Sequence, residues 1–436
     1  MKDPPQHLAP RQIPNTQALW DDAETASASL GCWTCVDRGT CGGAHKDSSF
    51  FDCNDFCRCS DKASCDLVCR GNPAAFVARV REIGGFDLTT ARRAPEVRVD
   101  PLPSMVPLIE HNSARQARLN FPIVTIPLYA LIDLGQATLK FTDREALANH
   151  FGIEPQARIV VSGVARDREI ERYWELPNRA ALLTQLQSLG IALITSPNFS
   201  VLTDVPRTDN LHAMKRILLT WVEMAESGLP AALHVNARTE RDYHRWAELI
   251  AARPEIQSIA VEFATGAGRG SRIDWHVTRL RQLAADVSHP LRLIVRGGAR
   301  VLEPLRQSFD AVTVIDTDAF HKTRCRKQAY FTEAGKLQWR NHPTKVGEPL
   351  DGLLQQNVAT LHSHHTYLER LHADHRVAHS GKSPTIAKNG YGNSGHRSDL
   401  GQNRRAIGEI ATGPKGQGMV AAAKSQFGVV PNKRAK

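Results

Sequence analysis

With 436 residues, 42 % of them apolar, and a mean hydropathy of −0.34, the chain is long enough to bury a sizeable core and too polar to be a membrane protein. No run of about 18 apolar residues offers a bilayer span, and the opening MKDPPQHLAPRQIPNT lacks the apolar stretch of a secretory signal, so a cytoplasmic location is expected. A net charge of +10 favours anionic partners, nucleic acid first.

Residues 1–30 read as a flexible leader. Residues 31–72 hold eight of the nine cysteines: Cys32, Cys35, Cys41, Cys53, Cys57, Cys59, Cys65 and Cys69. In a reducing cytosol, clustered thiols are more often metal ligands than disulfides. Soft thiolates suit zinc or iron–sulfur clusters, and eight of them complete two four-ligand sites. An iron–sulfur cluster or zinc is therefore the expected cofactor, with disulfides or unligated thiols as alternatives. Cys325 stands apart in the basic stretch HKTRCRK and reads as an ordinary cysteine.

Residues 73–103 read as a helix and a linker. AAFVARVREI has helical spacing and stops at Gly84-Gly85, and Arg92 to Pro103 is charged and proline-marked. Eight short apolar runs follow, at 105–111, 121–128, 157–164, 191–198, 231–237, 258–264, 291–298 and 311–318. From Ile159 onward most gaps carry helical patterns, such as Arg179 to Leu189, Asn210 to Glu226, Thr239 to Ala252 and Ile273 to Ala285. Consecutive apolar positions mark strands covered on both faces, and strand–helix alternation marks a parallel α/β architecture. Eight units over residues 104–378 predict a TIM-like β/α barrel. The segment NSARQARLN is too short for a crossover helix, so the first two units are expected to be irregular or antiparallel. An open doubly wound sheet is the alternative, although no G-x-G-x-x-G follows the first strand. Leu353 to His375 reads as one more helix. Residues 379–436, rich in glycine and Lys/Arg with few large apolar residues, read as a disordered basic tail that contacts nucleic acid non-specifically.

Parallel α/β folds bind ligands at the C-terminal ends of their strands. Those positions supply Ser162 and Gly163; Ser196, Asn198, Ser200 and Asp204; His234, Asn236 and Arg238; Glu262 and Thr265; Arg296, Gly297 and Gly298; and Asp316, Asp318 and His321. Glu262 sits inside the apolar run IAVEF, where an unpaired carboxylate is expensive. It needs a partner such as His234 or Arg296, and burial would raise its pKa toward acid/base work. A structural ion pair between Glu262 and Arg296 explains the same residues equally well. Glu262, Asp204, Asp316 and Asp318 are the catalytic candidates. Asn198, Ser200, His234, Asn236 and Arg296 are the substrate-binding candidates.

Two resemblances bear on this site. The segment SPNFSVLTDVPR (196–207) resembles the S-P-D-F-S-x-x-x-D-M-P signature of an uncharacterised phage and mobile-element family, domain of unknown function 4417, with Asn198 in place of the aspartate and Val205 in place of the methionine. It implies association with mobile DNA and a shared loop containing Pro197, Asn198, Ser200, Asp204 and Pro206. Cys53-x3-Cys57-x-Cys59 resembles the radical S-adenosylmethionine motif C-x3-C-x2-C, one residue short and ahead of the first strand. The expectation is a metal-containing barrel protein acting on or near nucleic acid, an enzyme or a non-catalytic DNA-associated protein. An architectural analogy to tRNA-guanine transglycosylases lacks their C-x-C-x2-C zinc motif. Oligomeric state is not legible.

Overall fold

Where consecutive apolar residues require cover on both faces, the chain forms a closed layer of strands inside a layer of helices. The structure, a computed structural model, describes residues 81–202, 207–268, 272–298 and 301–380. The eight runs become eight barrel strands: β1 Met105–Pro107, β2 Ile123–Pro127, β3 Arg158–Ser162, β4 Ile191–Thr195, β5 Ala231–His234, β6 Ser258–Glu262, β7 Arg292–Arg296 and β8 Ala311–Asp316. From β2 to β8 each pairs in parallel with its neighbour in sequence, and β8 pairs in parallel with β1. The ring closes between β1 and β2 through the parallel bridge Leu108–Thr125 and the bond from Ile109 N–H to the Thr125 carbonyl at 2.8 Å. This is a parallel eight-stranded α/β barrel, not an open doubly wound sheet.

Outside the strands lie α1 Arg144–Phe151, α2 Asp167–Trp174, α3 Arg179–Ser188, α4 Arg207–Glu226, α5 Glu240–Ala251, α6 Arg272–Asp286, α7 Leu302–Arg306, α8 Asp318–Arg324 and α9 Asp351–Ser380. Local chemistry sets several ends. Asp143 caps α1 by accepting from Ala146 N–H at 2.8 Å, and Gly152 ends it in the left-handed region at φ 57°. Thr239 and Asp242 form a reciprocal capping box at the start of α5.

Register divides the strands into two faces. The bridges Thr125–Val160, Val160–Leu193, Thr195–Ala232, His234–Ala260, Ala260–Ile294 and Ile294–Thr313 join side chains on one face around the ring. That face carries Ser104, Thr125, Ser162, Thr195, His234, Ser258 and Thr313, all buried. The opposite face is apolar: Met105, Val124, Ile126, Val161, Ile194, Leu233, Ile259, Val261, Leu293, Val295, Val312 and Val314. Residues of such size belong under the helices, where Trp221 and Trp246 are also buried. The polar set therefore faces the interior.

The first connection is irregular, as the short segment NSARQARLN led one to expect, and the antiparallel alternative is not the one taken. β1 and β2 run parallel although no helix joins them, because residues 108–122 run back in an irregular path. Leu119 bridges Ile153 at the end of α1, and α9 holds the rest from outside. Asp351 accepts from Gln116 N–H at 2.9 Å and Ala117 N–H at 3.1 Å, and Gln355 bonds both backbone groups of Asn120. The last described helix thus clasps the seam of the ring.

The stretch 92–103, expected as a linker, is anchored instead. Arg158 on β3 donates to the Pro101 carbonyl at 3.0 Å, and Arg292 on β7 donates to the Val99 carbonyl. Because β3 and β7 face each other across an eight-membered ring, residues 99–101 cross the base of the barrel. Upstream, Arg253 donates to the carbonyls of Thr89, Ala91 and Arg92, and Lys215 to the Asp87 carbonyl and the Thr90 hydroxyl. Phe86, Leu88 and Val99 join the central core. No described helix is long and apolar enough to cross a membrane.

Arg253 is 4 % exposed, so removing its guanidinium leaves three carbonyls short of a charged donor. Arg253→Ala is expected to lower the unfolding free energy by about 2–3 kcal/mol, measured as a lower urea midpoint at unchanged slope.

Candidate functional site

The strand ends place charged side chains at one mouth of the barrel. Glu262 is the last residue of β6, and its register partner on β7 is Arg296. Both are on the inner face. Arg296 Nη1 lies 3.7 Å from Glu262 Oε2 and donates at 3.4 Å to the carbonyl of Val164, just past β3. β3 is opposite β7, so the guanidinium spans the mouth. Glu262 Oε1 accepts from Ala264 N–H at 2.8 Å. Its other oxygen, and Arg296 Nε, have no hydrogen-bond partner among the described residues. The Glu262 side chain is 6 % exposed. Burial raises its pKa above the usual carboxylate range, while Arg296 and the Ala264 N–H pull the other way.

His234 ends β5 on the same face. Its backbone N–H donates to Ser196 Oγ at 2.9 Å, and ring Nδ1 lies against the Ser196 carbonyl. A carbonyl only accepts, so Nδ1 carries the proton and Nε2 is the acceptor nitrogen. Burial brings the imidazole down to about 4, and Arg296 adds to the effect, so His234 is neutral at physiological pH. Gly163 makes the packing beneath possible. A Cβ there would lie 2.4 Å from the Thr195 carbonyl and 2.5 Å from that of Ser196.

Around this centre, Asn236 Nδ2 donates to Asn198 Oδ1 at 3.2 Å and to the Phe199 carbonyl at 3.0 Å. Ser200 Oγ donates to Asp167 Oδ1 at 2.5 Å. Asn198, Ser200, Asn236, Arg238 and Glu262 line an open cavity together with His276 of α6. Tyr243 of α5 holds His276 through a 2.8 Å contact between its hydroxyl and Nδ1. Burial, with Arg238 and Arg272 nearby, takes His276 down to about 3.

Of the candidates read from sequence, Glu262, Arg296, His234, Asn198, Ser200 and Asn236 come together here. Asp316 and Asp318 do not. Asp316 lies on the outward register of β8 with Val312 and Val314, where Oδ1 accepts from Ala319 N–H at 2.8 Å in the first turn of α8. Burial raises it to about 7. Asp318 is exposed in that same turn. Asp204 lies outside the described residues, as do all eight clustered cysteines and residues 381–436. Sequence reasoning missed Asp167, Tyr243 and His276. His276 falls between Ile273 and Leu280 on the apolar stripe of α6, where it is indistinguishable from core, and Asp167 reads as an ordinary first-turn acid.

A buried carboxylate with an unsaturated oxygen can give or take a proton. The guanidinium beside it holds negative charge, and a neutral imidazole accepts a hydrogen bond. Among the described residues no group of three or more His, Cys, Asp or Glu is placed to hold a metal ion. No family model matches the chain, and no curated protein matches it.

The buried histidines set the acid response. His234 and His365 are lowered to about 4 and His276 to about 3 from an ordinary 6.5. Below 6.5 the unfolded chain binds protons that the folded chain refuses, so their contribution is complete above 6.5 and is lost as pH falls through that window. Asp316 acts oppositely: its contribution is complete below 3.8 and is lost as pH rises from there to about 7, and Glu262, also raised, acts in the same sense. Three imidazoles outweigh two carboxylates, so the urea midpoint is expected to fall from pH about 6.5 to about 4. An unchanged midpoint across that range would show the imidazoles to be solvated.

Proposed function

We propose that the chain is an α/β-barrel enzyme that performs acid–base chemistry at the barrel mouth, on or near nucleic acid. The observation that carries this reading is Glu262. It is a buried carboxylate with a raised pKa at the C-terminal rim, lining a cavity and keeping one oxygen free of hydrogen bonds. A carboxylic acid whose pKa burial has raised is suited to donate and then recover a proton, the general acid–base role. Arg296 balances developing negative charge without moving, because the Val164 carbonyl already fixes it across the mouth. His234, neutral and locked by Ser196, offers Nε2 as an acceptor that orients a substrate hydroxyl or amine. Asn198 and Asn236 add amide groups at the entrance. The nucleic-acid part rests on the net charge of +10 and on the ten Lys/Arg that stand against two carboxylates in residues 379–436. The resemblance of residues 196–207 to the mobile-element family points the same way.

The eight cysteines carry a separate part of the proposal: thiolate ligation of an iron–sulfur cluster or zinc. Protein purified without oxygen is expected to contain iron with sulfide or stoichiometric zinc, and metal-free protein with free thiols would overturn this part.

The acid–base reading predicts that Glu262→Gln slows conversion of single- or double-stranded oligonucleotides, followed by mass spectrometry, by about a hundredfold to ten-thousandfold. Thermal stability and oligonucleotide affinity are expected to persist. In the folded wild type, the ¹³C carboxyl signal of Glu262 is expected to titrate above 4.5. Full turnover by Glu262→Gln would sink the reading.

A further inference from the structure

Between α8 and α9 the chain inserts a two-stranded antiparallel hairpin, Lys327–Phe331 with Leu337–Asn341. Arg326 turns the chain into it at φ 51°, steadied by Nε donating to Thr344 Oγ1 at 2.8 Å. Residues 321–345 hold Lys322, Arg324, Arg326, Lys327, Lys336, Arg340 and Lys345 against Glu333 alone. With residues 379–436 they hold more than the whole net charge, so the rest of the chain is net acidic.

Elsewhere several surface arginines are paired, Arg92 with Glu226, Arg93 with Glu255, Arg118 with Glu145 and Arg279 with Glu240. None of the seven cations around the hairpin has a carboxylate partner among the described residues. An unpaired cluster of like charges repels itself, so folding does not explain it. A charged edge strand does resist edge-to-edge aggregation, yet one or two lysines suffice for that.

Aromatic rings are interleaved with these cations. The Arg340 guanidinium sits 5.3 Å from the Tyr330 ring centroid, and Lys322 Nζ 6.0 Å from that of Trp339. Phe331 is 44 % exposed. Tyr330 and Arg340 share one hairpin face with Gln328 and Gln338, which bond them at 3.0 and 2.8 Å. The platform is rigid: buried Asn357 of α9 accepts from Ala329 N–H at 2.8 Å and donates to the Lys327 carbonyl at 2.9 Å.

We propose that this hairpin is a binding surface for single-stranded nucleic acid, with Lys336, Arg340 and their neighbours taking phosphates and Tyr330 stacking a base. Unpaired cations recognise any polyanion, and the half-buried Tyr330 ring, with Phe331 exposed on the other face, selects one whose bases are free to stack. A strand pair of this size serves about two or three bases, as strand platforms with stacking aromatics do. The inference deepens the nucleic-acid part of the proposed function and assigns it to a surface distinct from Glu262.

The test uses the full chain and fluorescence anisotropy with a labelled oligouridylate of about 20 nucleotides, longer than one platform engages. The double variant K336E/R340E is expected to raise Kd at least tenfold and to shallow the slope of log K against log salt by about 1.4 or more. Tyr330→Ala is expected to raise Kd for the oligonucleotide about 5-fold or more and to leave inorganic polyphosphate binding unchanged. Glu262→Gln is expected to bind like wild type, so loss of turnover there and loss of binding here report separately. Wild-type affinity in both hairpin variants would overturn the proposal and leave phosphate contact to another segment. Equal loss of oligonucleotide and polyphosphate in Tyr330→Ala would overturn base stacking. Preference for phosphatidylserine vesicles over the oligonucleotide would make the surface a membrane contact and overturn it also.

Discussion

The barrel depends on the packing of outward-facing Val, Ile and Leu side chains beneath the helices. Because that layer does most of the work of cohesion, the inner face can hold serine, threonine, histidine and charged groups among apolar residues such as Val160, Leu193 and Ile294. Interior polarity has its own demand, since each buried charge needs partners. Arginines meet it at both ends. Arg158 and Arg292 fasten a crossing segment at the base, and Arg296 reaches a carbonyl across the mouth. The same opposed strands, β3 and β7, supply all three. Glu262 inherits its environment from this arrangement: too buried to be an ordinary carboxylate, too loosely paired to be a closed ion pair.

Most of the architecture was legible because strands covered on both faces write themselves as consecutive apolar residues. All eight runs became strands, and helices appeared close to where the 3.6-residue spacing placed them. The first connection was legible as irregular, from the shortness of NSARQARLN, but its parallel sense was not. A parallel return without a helix is held in part by α9, more than two hundred residues away, and local pattern carries no trace of that. Residues 92–103 misled for a similar reason. Their arginines and prolines look solvated, while what anchors them is a set of backbone carbonyls bonded by distant side chains.

At the site, strand ends were a sound guide to position but not to direction. Asp316 and Glu262 occupy equivalent final positions, yet one faces the helices and the other the interior. The distinction was present in the alternation: Val312, Val314 and Asp316 form one set, and Ser258, Ala260 and Glu262 the other. Tyr243 and His276 had no comparable signal, since a polar atom on an apolar helical stripe becomes visible only when a neighbouring helix brings its partner.

The clasp of α9 over the β1–β2 seam also constrains the order of events on the ribosome. Strands β1 to β8 are complete once Asp316 has been made, and by then the irregular return between β1 and β2 is held from one side only, by the Leu119–Ile153 bridge at the end of α1. Vectorial synthesis therefore yields a barrel that has all its staves and half its hoop, the other half coming with Asp351 and Gln355, made after the last strand.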